Sequence, residues 1–467
     1  MKQIVFQVKS FLILKMKAVL INSNLDSGFS PVIKRVWPPL DLANCASILK
    51  KNGFDTKIID TALFNLNFEE VVAELDNSDI VVVNTASLDR WQCPFLEINY
   101  FYKLTKKIKE RFPGVIVIVI GPHSFFNPNG LLKYSDIVIV GGPEPKIKNL
   151  FPGKIDIFLK TEGIVYKKNA KIVENKGGVP FSFDEFGKPS FELLPFKDYS
   201  YFIFGKPIML VETSRGCSGN CNFCFKSMYG VGVKFKSIGN VIQELKYLRN
   251  KLGIKNIVFI DTDFVSNKKR IINLCNEFIK NKLDINWTCD VRLNSIDDEI
   301  LSLMKRSGCS LIHFGIESGS KGTYSKLNKL GDFDKIGKKL ILTKKNGIRT
   351  LGYFRFGHIN ETKQDMLATM KFAKSLPIDF ASFGIVVPYP GTRIQVEGKH
   401  YFKHISSEGI PLAYERHVSL SELKDLVKKA YIRFYLRPSY ILTHLGFIFK
   451  FNLLKEGFKI LISSLKN

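Results

Sequence analysis

Cys217-Ser218-Gly219-Asn220-Cys221-Asn222-Phe223-Cys224 stands directly after the apolar run 208–211 and the turn 212–216. Three of the chain's eight cysteines fall within these eight residues, spaced C-x3-C-x2-C. Chance gives such a cluster on the order of once in several hundred chains of this cysteine content, so it calls for a chemical account. Thiolates bind soft metals, and iron-sulfur clusters are normally held by cysteine sulfur. Three ligands on one loop leave the fourth iron of a cubane open to a small molecule, as the open position of a catalytic zinc is. A structural zinc site would want a fourth ligand and usually paired C-x2-C knuckles, and no second knuckle exists. Cys275, Cys289 and Cys309 lie singly on apolar stretches, where a lone cysteine is most often a small core residue.

From residue 208 onward, strand-like runs near 208–213, 256–261, 285–292, 311–317, 349–356 and 381–387 alternate with helical patterns. Six such units make a partial (β/α) barrel, whose chemistry sits at the C-terminal strand ends, and the cysteine loop leaves the first strand at that end. Upstream, apolar runs at 18–22, 56–60, 80–84, 115–120 and 137–140 alternate with amphipathic stretches such as 40–51 and 95–111. Continuous apolar strands separated by helices mean a doubly wound parallel sheet covered on both faces, with ligands at its carboxyl edge. That edge carries Asn22-Ser23, Thr85 to Ser87, Gly121-Pro122-His123 and Gly141-Gly142-Pro143-Glu144, small and polar groups that let a backbone approach a ligand. The chain therefore divides into an extension (1–15), a first domain (16–150), a linker with a small hairpin at 155–160 and 164–168 (151–205), a barrel core (206–395) and a helical C-terminal region (396–467).

The cysteine motif, with Phe223 immediately before its last cysteine, resembles the radical S-adenosylmethionine (radical SAM) superfamily. The resemblance implies that Cys217, Cys221 and Cys224 hold a 4Fe-4S cluster whose open iron takes the amino and carboxylate groups of SAM. Residues 259–264, Phe-Ile-Asp-Thr-Asp-Phe, resemble the family's Phe-x-Asp-Asp-x-Phe with Thr262 in place of the second aspartate. Gly357 to Thr362 stands where the family has Gly-x-Pro-Gly-Glu-Thr, with two positions changed, so a reshaped turn is expected; Pro388-Tyr389-Pro390-Gly391-Thr392 fits well. By this resemblance Phe223, Asp261, Arg292, Glu317, Ser318 and Tyr389 contact SAM. An arginine can pair with the SAM carboxylate, and a carboxylate can accept from ribose hydroxyls or an ammonium group. Taken singly, each charged residue also reads as an inter-strand salt bridge, and Tyr389 as a packed loop anchor.

The first domain is similar to the cobalamin-binding domain that precedes the core in one large radical SAM subfamily, which includes cobalamin-dependent methylases and the anaerobic porphyrin cyclase. The resemblance implies that Thr85, Ser87, Gly121, His123, Gly142 and Glu144 line a cobalamin site. Methionine-synthase-like domains offer an Asp-x-His-x-x-Gly loop after the first strand; residues 24–35 contain no histidine, so no imidazole from that loop is expected on the lower face of the corrin. His123, the one histidine of residues 16–150, also reads as a turn residue bonding backbone.

Lys and Arg outnumber Asp and Glu by 69 to 43, a formal charge of +26 that would attract RNA phosphates, anionic lipid or an acidic substrate, although the lysines are spread and not blocked. No run of about eighteen uncharged apolar residues appears, so no transmembrane helix is expected. Phe11 to Leu14 is too short for a secretory segment, and the cysteine pattern suits a reducing cytoplasm. The apolar residues of 447–461, interleaved with Lys450, Lys455 and Lys459, suit either a membrane interface at the inner face or helix packing. These readings lead to an enzyme that cleaves SAM reductively and modifies an unactivated carbon of a small molecule or lipid, by cobalamin-dependent methyl transfer or cyclisation, with a flavodoxin or ferredoxin as electron donor. The alternatives are an RNA-modifying methylthiotransferase, which should carry a second cysteine set where only Cys45 and Cys93 stand, and a non-catalytic iron-sulfur or cobalamin carrier.

Overall fold

The computed structural model describes residues 15–23, 36–230 and 232–443. Two sheets dominate it. The first has the order β2-β1-β3-β4-β5-β6-β7, with β1 Lys17–Asn22, β2 Asp55–Asp60, β3 Ile80–Asn84, β4 Ile116–Ile120, β5 Ile137–Ile139, β6 Ile164–Lys168 and β7 Lys171–Glu174. Runs such as Val81-Val82-Val83 form strands because β-branched side chains, stiff at χ1, pack well on a pleated surface. Alternation sends Val19, Ile21, Val81, Val83, Val117 and Val119 against Phe101, Leu104 and Ile108 of the helix Asn99–Arg111. The other face sends Ala18, Leu20, Val82, Ile118 and Ile120 into the cluster of Leu42, Ala46 and Leu49 from the helix Leu40–Lys51. With both faces covered, β1 to β5 are parallel.

Two expectations change here. The run 155–160 is not a strand: Ile155, Phe158 and Leu159 meet the core at helical spacing while Ile157 is exposed, and Ile155–Phe158 is a short helix. The hairpin is instead β6–β7, closed by Asn169 and Ala170, both at positive φ, as a two-residue hairpin turn requires. It pairs antiparallel with β5, so the first sheet runs through residue 174, past the boundary expected at 150. The helix expected from residue 95 begins at Asn99.

After a connector that packs on the helix Leu40–Lys51 through Ser47 to the Lys188 carbonyl, β8 Ile208–Val211 opens the second sheet. A small antiparallel pair follows, β9 Ser214–Gly216 with β10 Val233–Phe235. The sheet then takes β11 Asn256–Phe259, β12 Asn286–Val291, β13 Cys309–Glu317, β14 Arg349–Phe356 and β15 Phe380–Ile385. Its order, β15-β14-β13-β12-β11-β8, leaves β8 and β15 as unpaired edges, so the barrel is partial.

The edge of β15 is covered in a specific way. The helix Leu420–Tyr435, capped by Ser419, places Tyr431 and Tyr435 one turn apart. The Tyr431 hydroxyl accepts from Phe383 N at 3.2 Å and donates to Phe383 O at 3.1 Å. Tyr435 treats Ala381 alike, at 3.0 and 2.7 Å. The two phenols thus stand in for a neighbouring strand and satisfy an edge that would otherwise invite pairing with another chain.

No helix among the described residues is long and apolar enough to cross a membrane. The expectations for residues 1–14, for the histidine-free loop 24–35 and for the tail beyond 443 lie outside the described residues.

Candidate active site

The cysteine loop is set by the turn before it. Gly216 has φ +98, and a Cβ there would run into the Gly232 carbonyl across the β9–β10 pair. Glycine is needed on both counts. Asp261, at the end of β11, accepts from Thr213 N at 2.9 Å, Thr213 Oγ1 at 2.7 Å and Ser214 Oγ at 2.5 Å. Burial raises its pKa despite those bonds. Both its oxygens are committed to positioning the segment that enters the loop.

Cys217, Cys221 and Cys224 are free thiols, each half-buried. Burial first, and then the neighbouring Cys221 and Cys217, push the Cys224 thiol up to about 12. Metal binding to such thiols releases their protons, because the thiolate is the ligand. Among the described residues no three His, Cys, Asp or Glu side chains converge on one point as a single ion would require.

Around the loop stand the residues expected to meet SAM. Arg292, ending β12, donates to Cys217 Sγ and lies 3.4 Å from Asp263. Glu317, ending β13 at φ +70, holds Lys329 at 3.0 Å. Burial works to raise the Glu317 pKa, but Lys329 and Arg355 outweigh it and the carboxyl is held low. Ser318 is turned into the protein, with its hydroxyl 3.2 Å from Thr369 Oγ1. Phe223 meets the His358 ring edge-on at 5.4 Å. Tyr389 donates to the Pro94 carbonyl at 2.6 Å and stacks on Phe126, so its hydroxyl ties the barrel to the first domain.

The turn 357–362 is held by its own side chains. Asn360 sits at φ +58, a conformation asparagine tolerates, and its Oδ1 accepts from Tyr414 at 3.1 Å and Arg416 at 2.6 Å. Glu361 Oε2 closes the turn by accepting from Gly357 N and His358 N at 2.7 and 3.0 Å.

The carboxyl edge of the first sheet lies against this loop. Glu144 grips Arg215, two residues before Cys217, at 2.9 and 2.7 Å, and Glu212 takes the other side of the same guanidinium at 2.7 Å. All three side chains are at most 5% exposed. Arg215 also lies 5.0 Å over Trp91. Gln92 reaches Thr262, the residue that replaces the family's second aspartate, at 3.4 Å. Glu144, which also accepts from Asn44, is thus engaged in the interdomain pair.

Thr85, Ser87, Gly121, His123 and Gly142 gather at the same edge. Ser87 donates to Asp89 at 2.6 Å. Gly121, at φ +110, lies so close to Thr85 that a Cβ would clash with its hydroxyl. Gly142 accepts from Lys146. His123 is fully buried, its Nε2 bonds the Phe95 carbonyl at 2.8 Å, and burial lowers its pKa to about 4, so the ring is neutral. Among the described residues, the buried atoms Asp41 Oδ1, Thr85 Oγ1, Ser124 Oγ, His123 Nδ1 and Trp91 Nε1 have no hydrogen-bond partner. Orphaned donors and acceptors along the ligand edge of a parallel sheet fit a bound group rich in amides, as a corrin is.

Sequence reading missed Asp263, Lys329 and Arg215. Asp263 was visible inside its motif, whereas Lys329 and Arg215 carry no signal until the fold brings their partners. Cys45 is buried on its helix and Cys93 is exposed beside Arg90, so the first domain offers no second ligand set among the described residues.

Comparison with known proteins agrees with this geometry. Residues 211–373 match the family model described as the radical SAM superfamily. The chain is 33% identical over 459 residues to an uncharacterized methyltransferase of Pyrococcus horikoshii, covering 93% of this chain and 96% of that one. It is 24% identical over 448 residues to the anaerobic magnesium-protoporphyrin IX monomethyl ester cyclase of Rubrivivax gelatinosus, covering 91% and 78%. Among solved structures, the radical SAM methyltransferase TsrM of Kitasatospora setae, with cobalamin and a 4Fe-4S cluster bound, superposes with TM-score 0.66 at 16% identity, over 84% of this chain and 80% of that one. The cobalamin-dependent SAM radical enzyme OxsB, with aqua-cobalamin and SAM bound, gives 0.63 at 16%, over 90% and 61%.

Proposed function

The chain belongs to the radical SAM superfamily, and from that premise we propose that it is a cobalamin-dependent enzyme that transfers a methyl group to an unactivated carbon. When bound, the cluster supplies the electron that splits SAM, and cobalamin supplies a methyl carrier. Cys217, Cys221 and Cys224 would hold the cluster, and the edge carrying Thr85, Gly121 and Gly142 would hold the corrin. Arg292 and Glu317, paired here with Asp263 and Lys329, would turn their opposite charges to a zwitterionic amino-acid moiety such as that of SAM. Phe223, Phe225, Phe126 and Tyr389 wall the mouth with aromatic surface that excludes water.

The observation that carries this reading is the Arg215–Glu144 pair, which fixes the ligand edge of one sheet against the cysteine loop of the other. With the corrin at one edge and the cluster at the other, this pair would hold the two cofactors near each other, as methyl transfer between them needs. Cyclisation is the second reaction this arrangement serves. A lipid substrate met at the membrane, reduction by a flavodoxin or ferredoxin and a cytoplasmic location complete the proposal.

Anaerobic reconstitution with iron, sulfide, SAM, a reductant and hydroxocobalamin tests it. We expect cluster absorbance, release of 5'-deoxyadenosine and one cobalamin per chain, with cluster and cleavage both lost on replacing the three cysteines by alanine. Cleavage that survives the triple replacement would overturn the cluster assignment. Absence of cobalamin binding would overturn the methyl-carrier half.

A further inference from the structure

The inner face of the second sheet carries a polar cluster that the cysteine loop does not explain. On β12, Trp287, Cys289 and Val291 point outward and are buried, Trp287 against Phe259, Phe264 and Phe278. Alternation therefore turns Thr288 and Asp290 inward, on the same face as Arg292. The neighbouring strands add His313 from β13 and Tyr353 from β14. Tyr201 enters from the connector, whose next residue, Phe202, packs on Phe380 of β15.

These groups form one network. His313 Nδ1 lies 2.7 Å from Asp290 Oδ1, with the Tyr353 hydroxyl 3.4 Å away. His313 Nε2 lies 3.0 Å from the Tyr201 hydroxyl and 3.2 Å from Thr288 Oγ1. The carboxylate assigns the proton to Nδ1, and Nε2 then accepts from the two hydroxyls. Within this network the side chain of His313 is 7% exposed and that of Asp290 is 42% exposed. Among the described residues Asp290 has no lysine or arginine within ion-pair distance. The nearby Arg292 is engaged by Asp263 and Cys217.

The inside of the barrel thus presents a carboxylate that is rigidly held, open on its free side and without a cation. Its accessible oxygen, unpaired with any lysine or arginine among the described residues, has lone pairs left to accept from a ligand. Trp37, from the segment after β1, packs on Tyr201 at 5.1 Å, so the cluster faces the side from which the first domain approaches.

We propose that Asp290 is a substrate-binding residue that takes a protonated amine of the substrate inside the barrel, and that His313 is the positioning residue that aims it. This rests on the reading of the chain as a radical SAM enzyme whose substrate enters the barrel. A charge-assisted hydrogen bond to a fixed carboxylate distinguishes an ammonium from a neutral group of the same shape.

The test uses the full-length protein reconstituted with its cluster and SAM, with benzylamine and benzyl alcohol as matched probes whose affinities are measured by saturation-transfer NMR. We expect the wild type to prefer the amine by about tenfold or more. Asp290→Asn should abolish the preference, Asp290→Glu should restore part of it, and His313→Gln should weaken amine binding with little change for the alcohol. A wild type that binds both probes equally, or a preference that persists in Asp290→Asn, overturns the proposal. Melting temperature and cluster absorbance check that each variant is folded. Should Asp290→Asn fail that check, Tyr201→Phe, which removes one hydroxyl from His313, carries the test: a reduced amine preference supports the proposal and an unchanged one overturns it. A wild type that selects the amine but releases no 5'-deoxyadenosine would count against the enzyme reading and not against this site.

Discussion

Replacing Glu144 tests whether the two domains work as one unit. Its carboxylate accepts from Arg215 Nη1 and Nη2 at 2.9 and 2.7 Å in a site with no solvent contact. Glu144→Ala leaves the guanidinium with Glu212 alone, and Asn44 loses its acceptor as well. Arg215 keeps its charge partner in Glu212, so the loss is that of two charge-assisted hydrogen bonds in a buried site, about 1.5–3 kcal/mol each. Against a total stability of about 5–15 kcal/mol this is a large fraction. Glu144→Gln keeps one acceptor oxygen but loses the charge, and we expect about 2–3 kcal/mol, the range for a hydrogen bond to a charged group. Urea unfolding of the metal-free protein, followed by tryptophan fluorescence, reads both, since Trp91 lies over Arg215. The pH dependence adds a second readout. Burial alone would raise the Glu144 pKa, but the charge and hydrogen bonds of Arg215 hold it below the ordinary glutamate value. Such a group contributes stability that is present above its unfolded pKa and lost as the pH falls through the folded one. The difference between wild type and Glu144→Gln should therefore shrink in acid, below about pH 4. A cost under about 1 kcal/mol for Glu144→Ala, or a difference that does not change with pH, would refute the reasoning.

Gly219→Ala places a Cβ on the Arg292 guanidinium, and we expect SAM cleavage to fall at least about tenfold while cluster absorbance is retained. Asn360→Val forces a β-branched residue into φ +58 and should lower stability by about 1–3 kcal/mol in thermal melts, whereas Asn360→Gly should cost less because only the bonds to Tyr414 and Arg416 are lost. Burial raises the Glu361 carboxyl to about 8, so its folded pKa lies above its unfolded one and stability should decline as the pH rises from the ordinary glutamate range through 8; Glu361→Gln should flatten that decline in melts taken across the range. Vesicle sedimentation with anionic and neutral lipids, comparing the full chain with one ending at Arg437, checks the tail: anionic binding that is lost on truncation is expected, and binding unaffected by truncation counts against a membrane role.

The sequence by itself determined the chemistry of the cluster and the order of the elements. The C-x3-C-x2-C spacing is local, so three thiols on one loop can be read without a fold. The same holds for β3 Ile80–Asn84, β14 Arg349–Phe356 and the helix Leu40–Lys51, whose hydrophobic periods name their structure directly. The hairpin was misplaced because 155–160 carries both an alternating set, Ile155, Ile157 and Leu159, and a helical one, Ile155, Phe158 and Leu159, and only the two left-handed residues at 169 and 170 show where the chain turns back.

Tertiary structure alone decided what the charged and polar residues do. Arg215 and Glu144 are 71 residues apart, Tyr201 and His313 are 112 apart, and Tyr389 and Pro94 are 295 apart. A sequence marks a residue as able to pair and says nothing about which partner reaches it. Asp261, expected at SAM, holds the entrance of the loop, Glu144, expected at the cofactor, grips Arg215, and Asp290, which drew no notice, has no cation partner among the described residues. The difference is physical. Hydrophobic periodicity is set by the geometry of a single element, whereas the partner of a buried charge is fixed by packing between elements far apart in the chain, where desolvation makes each choice of partner cost or contribute several kcal/mol.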